Sequence, residues 1–309
     1  MYDLLIMPFA EYGFMARALL VLLALSVGAG AVGVLVNLRD LEFISDGLVH
    51  AVFPGVAVGA VFFSNDGITL GAAIAGTVAA VVLTVAATRF GTADAPVAVV
   101  LTAAFSLGVV VVSTSSYPGQ LESLLFGQLL GVHLDQVRDT AVIAVVVLVM
   151  LGLTRRAQLF RAFDPDGAQA AGYRPLATDL VLNLAIALVI VAGSRVMGNL
   201  LVLAILIVPA AAARNLTRTL APMALGAMVI AGLGSWLGLS VAFDASMRRD
   251  LSLSPSGTVV LSFIALYALS LVWRGAMWVL GRRRAGRMPQ PHPDAPRPAA
   301  AVTHIPEEA

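Results

Sequence analysis

In the run Ser45-Asp46-Gly47-Leu48-Val49-His50-Ala51-Val52-Phe53-Pro54-Gly55 an aspartate and a histidine stand four residues apart in otherwise apolar sequence. On a helix this spacing puts both side chains on one face, about 6 Å apart along the axis, so carboxylate and imidazole can turn toward one point. Such a pair suits two kinds of chemistry. It can ligate a divalent ion such as zinc, manganese or ferrous iron. It can also form an Asp–His hydrogen bond that only joins helices. Copper(I) would prefer thiolates, and the chain has no cysteine. Two protein ligands make an incomplete metal site. A structural zinc site closes with four, whereas a site that must release its ion on both sides can leave positions to water.

Other polar groups could complete a pathway. Asp179, Asn183 and Asn199 stand in or near other apolar stretches, where helix-end solvation and interhelical hydrogen bonding are the ordinary reasons for such residues. Gly47, Pro54 and Gly55 would let their helix pack closely or bend, and Pro209 should kink the run Leu200 to Ala213. His133 and Asp135 read as surface residues, and His292 and His304 as solvated residues of a tail.

The elements that must position these groups are membrane spans. Of the 309 residues 59% are hydrophobic and 12% charged, about half the charged share of a soluble domain. A bilayer core takes roughly 20 apolar residues of helix. About nine such stretches follow one another, with eight to ten as bounds: 13–36, 44–63, 68–88, 95–113, 137–154, 177–194, 197–213, 220–242 and 257–280. The short sixth and seventh can form a helical hairpin that does not fully cross. The fold class is therefore all-α, a polytopic transmembrane bundle over residues 1–280, with 281–309 a disordered, basic and proline-rich cytoplasmic tail. Residues 121–132 are apolar but too short to cross alone, and read as a partly inserted external segment.

Arginine placement orients the bundle. Arg39, Arg89, Arg155, Arg156, Arg161, Arg174, Arg214, Arg218, Arg282, Arg283, Arg284 and Arg287 fall on one side, which the positive-inside bias makes the cytoplasm. Arg138, Arg195, Arg248 and Arg249 form the minority on the other. Trp273 and Trp278 flank the cytoplasmic end of the last span, where indole rings settle. An odd span count leaves the N-terminus outside. All 19 basic residues are arginine, so no phosphate-binding loop with its lysine is present and the chain carries no ATPase of that type. A net charge of +1 gives no pull toward nucleic acid. The patterns H-E-x-x-H and G-x-S-x-G are absent, which removes the common intramembrane hydrolase readings.

A second feature lies between the fifth and sixth spans, from Arg161 to Pro175. Asp164 before Pro165 reads as a helix N-cap, and Gly172 followed by Pro175 as its stop. A short capped helix at the membrane face suits docking of a partner, though a plain connecting loop would have similar composition.

The chain resembles the metal-uptake permease family of bacterial ABC importers along most of residues 13–280. The resemblance rests on Leu38-Arg39, then Ser45-Asp46-Gly47-Leu48-Val49-His50-Ala51, then Pro54-Gly55-Val56-Ala57. Leu125 to Leu130, Phe163-Asp164-Pro165 with Ala168 and Gly172, and Gly198 to Ala213 with Pro209 follow in the same order. It departs at Asp40, at Ser45, in the longer loop Asp244 to Pro255 and in the tail. The resemblance implies a bundle similar to the vitamin B12-type importer permeases, acting as a homodimer in the bacterial cytoplasmic membrane. The partners it implies are an ATP-binding ABC subunit and an extracytoplasmic metal-binding protein. It further implies that Asp46 and His50 contact the transported metal, which is zinc, manganese or iron in that family, with no cofactor held permanently. Asp164, Pro165, Ala168 and Gly172 would dock the ATPase, and Gly47, Pro54, Gly55 and Pro209 would serve helix packing or gating. The rival from the residues alone is a proton-coupled secondary transporter that uses Asp46 as its proton site.

Overall fold

The computed structural model describes residues 5–90, 94–113, 127–248, 251 and 253–285. The tail beyond 285 and the first half of the apolar segment 121–132, residues 121–126, lie outside the described residues. Nine helices among those described are long and apolar enough to cross a membrane. After a short N-terminal helix α1 (Met7–Glu11) come α2 (Gly13–Leu38), α3 (Glu42–Phe63), α4 (Gly67–Arg89), α5 (Asp94–Ser113) and α6 (Leu134–Phe163). A six-residue helix α7 (Pro165–Ala170) precedes α8 (Pro175–Ser194), α9 (Val196–Leu216), α10 (Leu220–Arg248) and α11 (Pro255–Ala285). Every span expected from hydropathy is present, with ends that differ by up to nine residues, the largest difference being α6, expected to end at 154 and ending at 163; a 20-residue helix rises about 30 Å and matches the hydrocarbon core.

Helices α2, α8 and α9 form the centre. Between 61% and 72% of their apolar windows are buried, against 17–22% for α5, α6 and α11, which therefore stand at the periphery. Lipid chains are as apolar as leucine, so hydrophobicity alone does not draw spans together, and small residues that admit close backbone approach take that role. Gly33 of α2 lies against the Leu206 carbonyl of α9, where an added Cβ would come within 2.0 Å of the oxygen. Gly55 and Gly59 of α3 face Gly71 and Gly67 of α4 in antiparallel register, so the second and third spans form a glycine-packed hairpin.

The sixth and seventh spans also form a hairpin. Each arm is long enough to cross, at 20 and 21 residues, rather than stopping part-way. The reversal occurs at Gly198, with φ 71° and ψ 163°, a conformation essentially confined to glycine. Gly127 (φ 74°) packs on this turn, and a Cβ there would lie 2.3–2.6 Å from backbone atoms of residues 196–198. Within 175–216 the departure from helical backbone angles is at Gly198, and Pro209 lies inside α9 with helical angles. Neighbouring helices make such a proline tolerable inside a bilayer. The short turn Leu129–Gly131 and the buried Val132 follow, and Arg17 Nε donates to the Val132 carbonyl at 2.8 Å, tying this end of the bundle to α2.

Close packing at Gly55 makes a specific prediction. Gly55→Ala brings a methyl within 2.1 Å of the Gly71 carbonyl oxygen and should destabilise the protein by about 1–3 kcal/mol. Gly152→Ala, which meets nothing within 4 Å, should be neutral. Thermal unfolding in detergent checks both, and equal midpoints would contradict the packing account.

Candidate functional site

Helix α3 begins at Glu42, so His50 sits about 12 Å into the span from that end. One side of the helix is buried through Leu48, Val49, Val52 and Phe53. Gly47 seats it against α5, since a Cβ there would be 2.7 Å from Val97 Cγ1. The His50 ring meets Phe105 of α5 edge-on (centroids 5.4 Å apart, 87°), and Phe105 stacks on Phe53 at 5.5 Å. These contacts fix the imidazole and leave Asp46, His50 and Pro54 on a partly exposed stripe flanked by exposed Phe43 and Phe62.

His50 Nε2 and Asp46 Oδ1 are 3.4 Å apart, with 26% and 32% of the two side chains exposed. That is longer than an ordinary hydrogen bond. Two atoms bound to one metal at 2.0–2.2 Å in near-tetrahedral arrangement stand about 3.3–3.6 Å apart, so the pair already has the spacing of a metal's two ligands. Among the described residues no group of three His, Cys, Asp or Glu forms, so one chain supplies this pair and no third such ligand. His50 Nδ1 is buried without a hydrogen-bond partner.

The other sequence candidates go elsewhere. Asp179 was a possible pathway ligand, but its carboxylate is taken by two arginines: Arg39 Nη2 donates to Oδ1, and Arg161 donates to Oδ1 and Oδ2 at 3.4 and 3.3 Å. Asn183 is buried and donates to Thr84 Oγ1 at 2.8 Å, a bond between α8 and α4. Asn199 is buried next to the Gly198 turn, at the opposite end of the bundle from Asp179. His133, read as a surface residue, is exposed and caps α6, its backbone N–H accepted by Gln136 Oε1 at 3.0 Å. His292 and His304 lie outside the described residues.

The segment from Arg161 to Pro175 folds as its residues dictate. Asp164 Oδ1 accepts from the Gly167 N–H at 2.8 Å and caps α7, Pro165 occupies its first turn, Ala168 is buried and Gly172 turns the chain at φ 89°. Local spacing does not announce what holds the base of this helix. Gln158 is fully buried; its Oε1 accepts from Arg39 Nη1 at 3.3 Å and its Nε2 donates to the Thr178 carbonyl at 2.9 Å. With Asp179 and Arg161 it forms a network joining α2, α6 and α8. On the other side of the α2–α3 turn, Asn37 donates to Glu42 Oε1 at 3.1 Å and accepts from Arg214 Nη1 at 3.0 Å. The only sequence signal for these bonds was a set of single charged or amide residues at span ends.

The comparisons with known proteins agree with this architecture. A family model described as the ABC 3 transport family matches residues 11–274. The chain is 31% identical over 276 residues to the manganese transport system membrane protein MntC of Halalkalibacterium halodurans, covering 86% of this chain and 92% of that protein. It is 29% identical over 251 residues to a probable iron transport system membrane protein of Haemophilus influenzae, covering 80% and 91%. Among solved structures it is similar in fold to PsaBC from Streptococcus pneumoniae in complex with Fab, with a TM-score of 0.75 at 24% identity, covering 87% of this chain and 95% of that one. A match that runs from the N-terminal helix into the last of nine spans makes this a multi-pass protein of the bacterial cytoplasmic membrane, and the chain belongs to the ABC 3 transport family.

Proposed function

We propose that this chain is the membrane-spanning, non-catalytic subunit of an ATP-driven importer for a divalent transition metal, with Asp46 and His50 as the groups that hold the ion in transit. The observation that carries this reading is the 3.4 Å carboxylate–imidazole pair on an open stripe inside a span. Relatives named for manganese and iron transport support the substrate class, and the donor set suits zinc as well. ATP is hydrolysed on a separate ABC subunit that docks on α7 through Asp164, Pro165, Ala168 and Gly172. An extracytoplasmic binding protein delivers the ion at the opposite end. Membership in an ABC transport family supports this reading over a proton-coupled carrier.

The exposed stripe supports a homodimer. Ionisable side chains are not left facing lipid, and a two-fold contact brings the same patch of two chains together. Two copies of the pair would then supply two carboxylates and two imidazoles to one ion. A metal-bound histidine ordinarily donates its other N–H to an acceptor, which strengthens the site. His50 Nδ1 has no such partner, so metal bound at Nε2 would leave that N–H unsatisfied and be held loosely, as release on both sides requires. Gly47 and Gly55 keep α3 seated on α5 and α4 while the ion passes, Pro54 lies on the open stripe, and Pro209 lies in the central α9.

Two outcomes follow in vesicles holding the permease, its ATPase and its binding protein. Uptake of radiolabelled manganese or zinc should require ATP and persist when the proton gradient is collapsed. It should fall at least about a hundredfold in Asp46→Ala and in His50→Ala at matched expression, the scale on which loss of a ligand or its support weakens metal sites. Unchanged uptake in the variants would return the pair to a structural role.

The docking helix is tested separately. Asp164→Ala removes the cap of α7 at a cost of about 1 kcal/mol, so affinity for the ATPase subunit should drop about fivefold. Unaltered affinity would place docking elsewhere.

A further inference from the structure

We infer that Asp179 is a positioning residue that couples the docking helix α7 to the metal-bearing helix α3, an inference that rests on the function proposed above. The physical path is short. Arg161 lies in the last turn of α6, three residues before the Asp164 cap of α7. Both its Nε and Nη2 reach the Asp179 carboxylate, in the first turns of α8. The same carboxylate accepts from Arg39, the residue that ends α2. Arg39 is followed by Asp40, the one non-glycine among the described residues with positive φ (51°), and then by the start of α3. Four residues beyond Glu42 stands Asp46.

One carboxylate thus sits between two guanidinium groups, with side-chain exposures of 9%, 15% and 23% for Arg39, Asp179 and Arg161. Without Asp179 two like charges would face each other at partly buried positions, so displacement of α7 and Arg161 must draw Asp179 and Arg39 with it or break the clamp. Room for rearrangement is present. A cavity of about 380 Å³ adjoins the clamp and is lined by Arg39, Asp40, Arg161, Asp179, Thr84 and Asn183. Asn183 Oδ1 is buried with no hydrogen-bond partner, an acceptor that a shifted guanidinium can take. A charge cluster with two alternative acceptor sets and space between them has the character of a two-state element, which is what coupling between distant sites requires.

The test measures ATP hydrolysis and metal uptake together in vesicles holding the full importer. Asp179→Asn should keep ATP hydrolysis and still bind metal at the Asp46–His50 pair, while ions imported per ATP hydrolysed fall about tenfold. Asp179→Glu, which restores the carboxylate, should recover most of that ratio. If Asp179→Asn assembles poorly, the charge-balanced pair Arg161→Gln with Asp179→Asn carries the same expectation. An unchanged ratio in these variants, or a fall in hydrolysis parallel to uptake, would overturn the coupling role alone. Absence of ATP-dependent metal uptake in the wild type would instead overturn the functional reading and this inference with it.

Discussion

A carboxylate and an imidazole inside hydrocarbon are the constraint around which this structure is arranged. Ionisable groups within spans are costly, so they face protein, water or one another. Here the pair is pinned on one side by Phe105 and by the tight seat of Gly47 on Val97, and remains half exposed on the other. Glycine hairpins and small-residue contacts elsewhere bring backbones of neighbouring spans close together, and the few buried amides, such as Asn183 on Thr84, bond between helices. Most remaining charge is placed at the ends. Among the described residues the result is a bundle with few ionisable groups in its interior and the Asp46–His50 pair on an open stripe.

The turn between α2 and α3 shows how the ends serve the interior. Asn37 is latched to Glu42 and Arg214, Arg39 to Gln158 and Asp179, and the Leu41 N–H returns to the Val36 carbonyl at 3.0 Å across the left-handed Asp40. That bond pattern is the close of a Schellman-type helix end, ordinarily made with glycine. The base of the helix carrying Asp46 and His50 is therefore tied to α6, α8 and α9 at once. The ties from this base to α6, α8 and α9 are side chains of defined charge or hydrogen-bonding capacity.

The spans were legible in the sequence because twenty-residue apolar runs separated by arginines carry a strong local signal. So were the Asp164 cap and its Gly172 stop, and the common face of Asp46 and His50, since each depends on spacing of eight residues or fewer. The partners of Asp179 were not legible. Arg39 lies 140 residues away in sequence, and nothing local distinguishes a clamped aspartate from a pathway ligand. Gln158 follows Arg155 and Arg156 near the end of α6 with no local pattern to mark it, and it is fully buried. The break between the sixth and seventh spans was legible as the gap between the runs 177–194 and 197–213, but its centre on Gly198 was not, because several glycines and Pro209 offer similar local signals and only the packed hairpin shows which one takes the glycine-only backbone angles.

The most direct measurement is the stoichiometry and ligand set of Mn²⁺ bound to the purified permease in lipid nanodiscs, by metal analysis together with pulsed electron paramagnetic resonance. One ion for every two chains, with imidazole nitrogen couplings that disappear in His50→Ala, is the result expected of a pair completed by a second copy. Nitrogen couplings that survive this substitution, or no Mn²⁺ beyond that of empty nanodiscs, would contradict the assignment of Asp46 and His50 as the metal-holding groups.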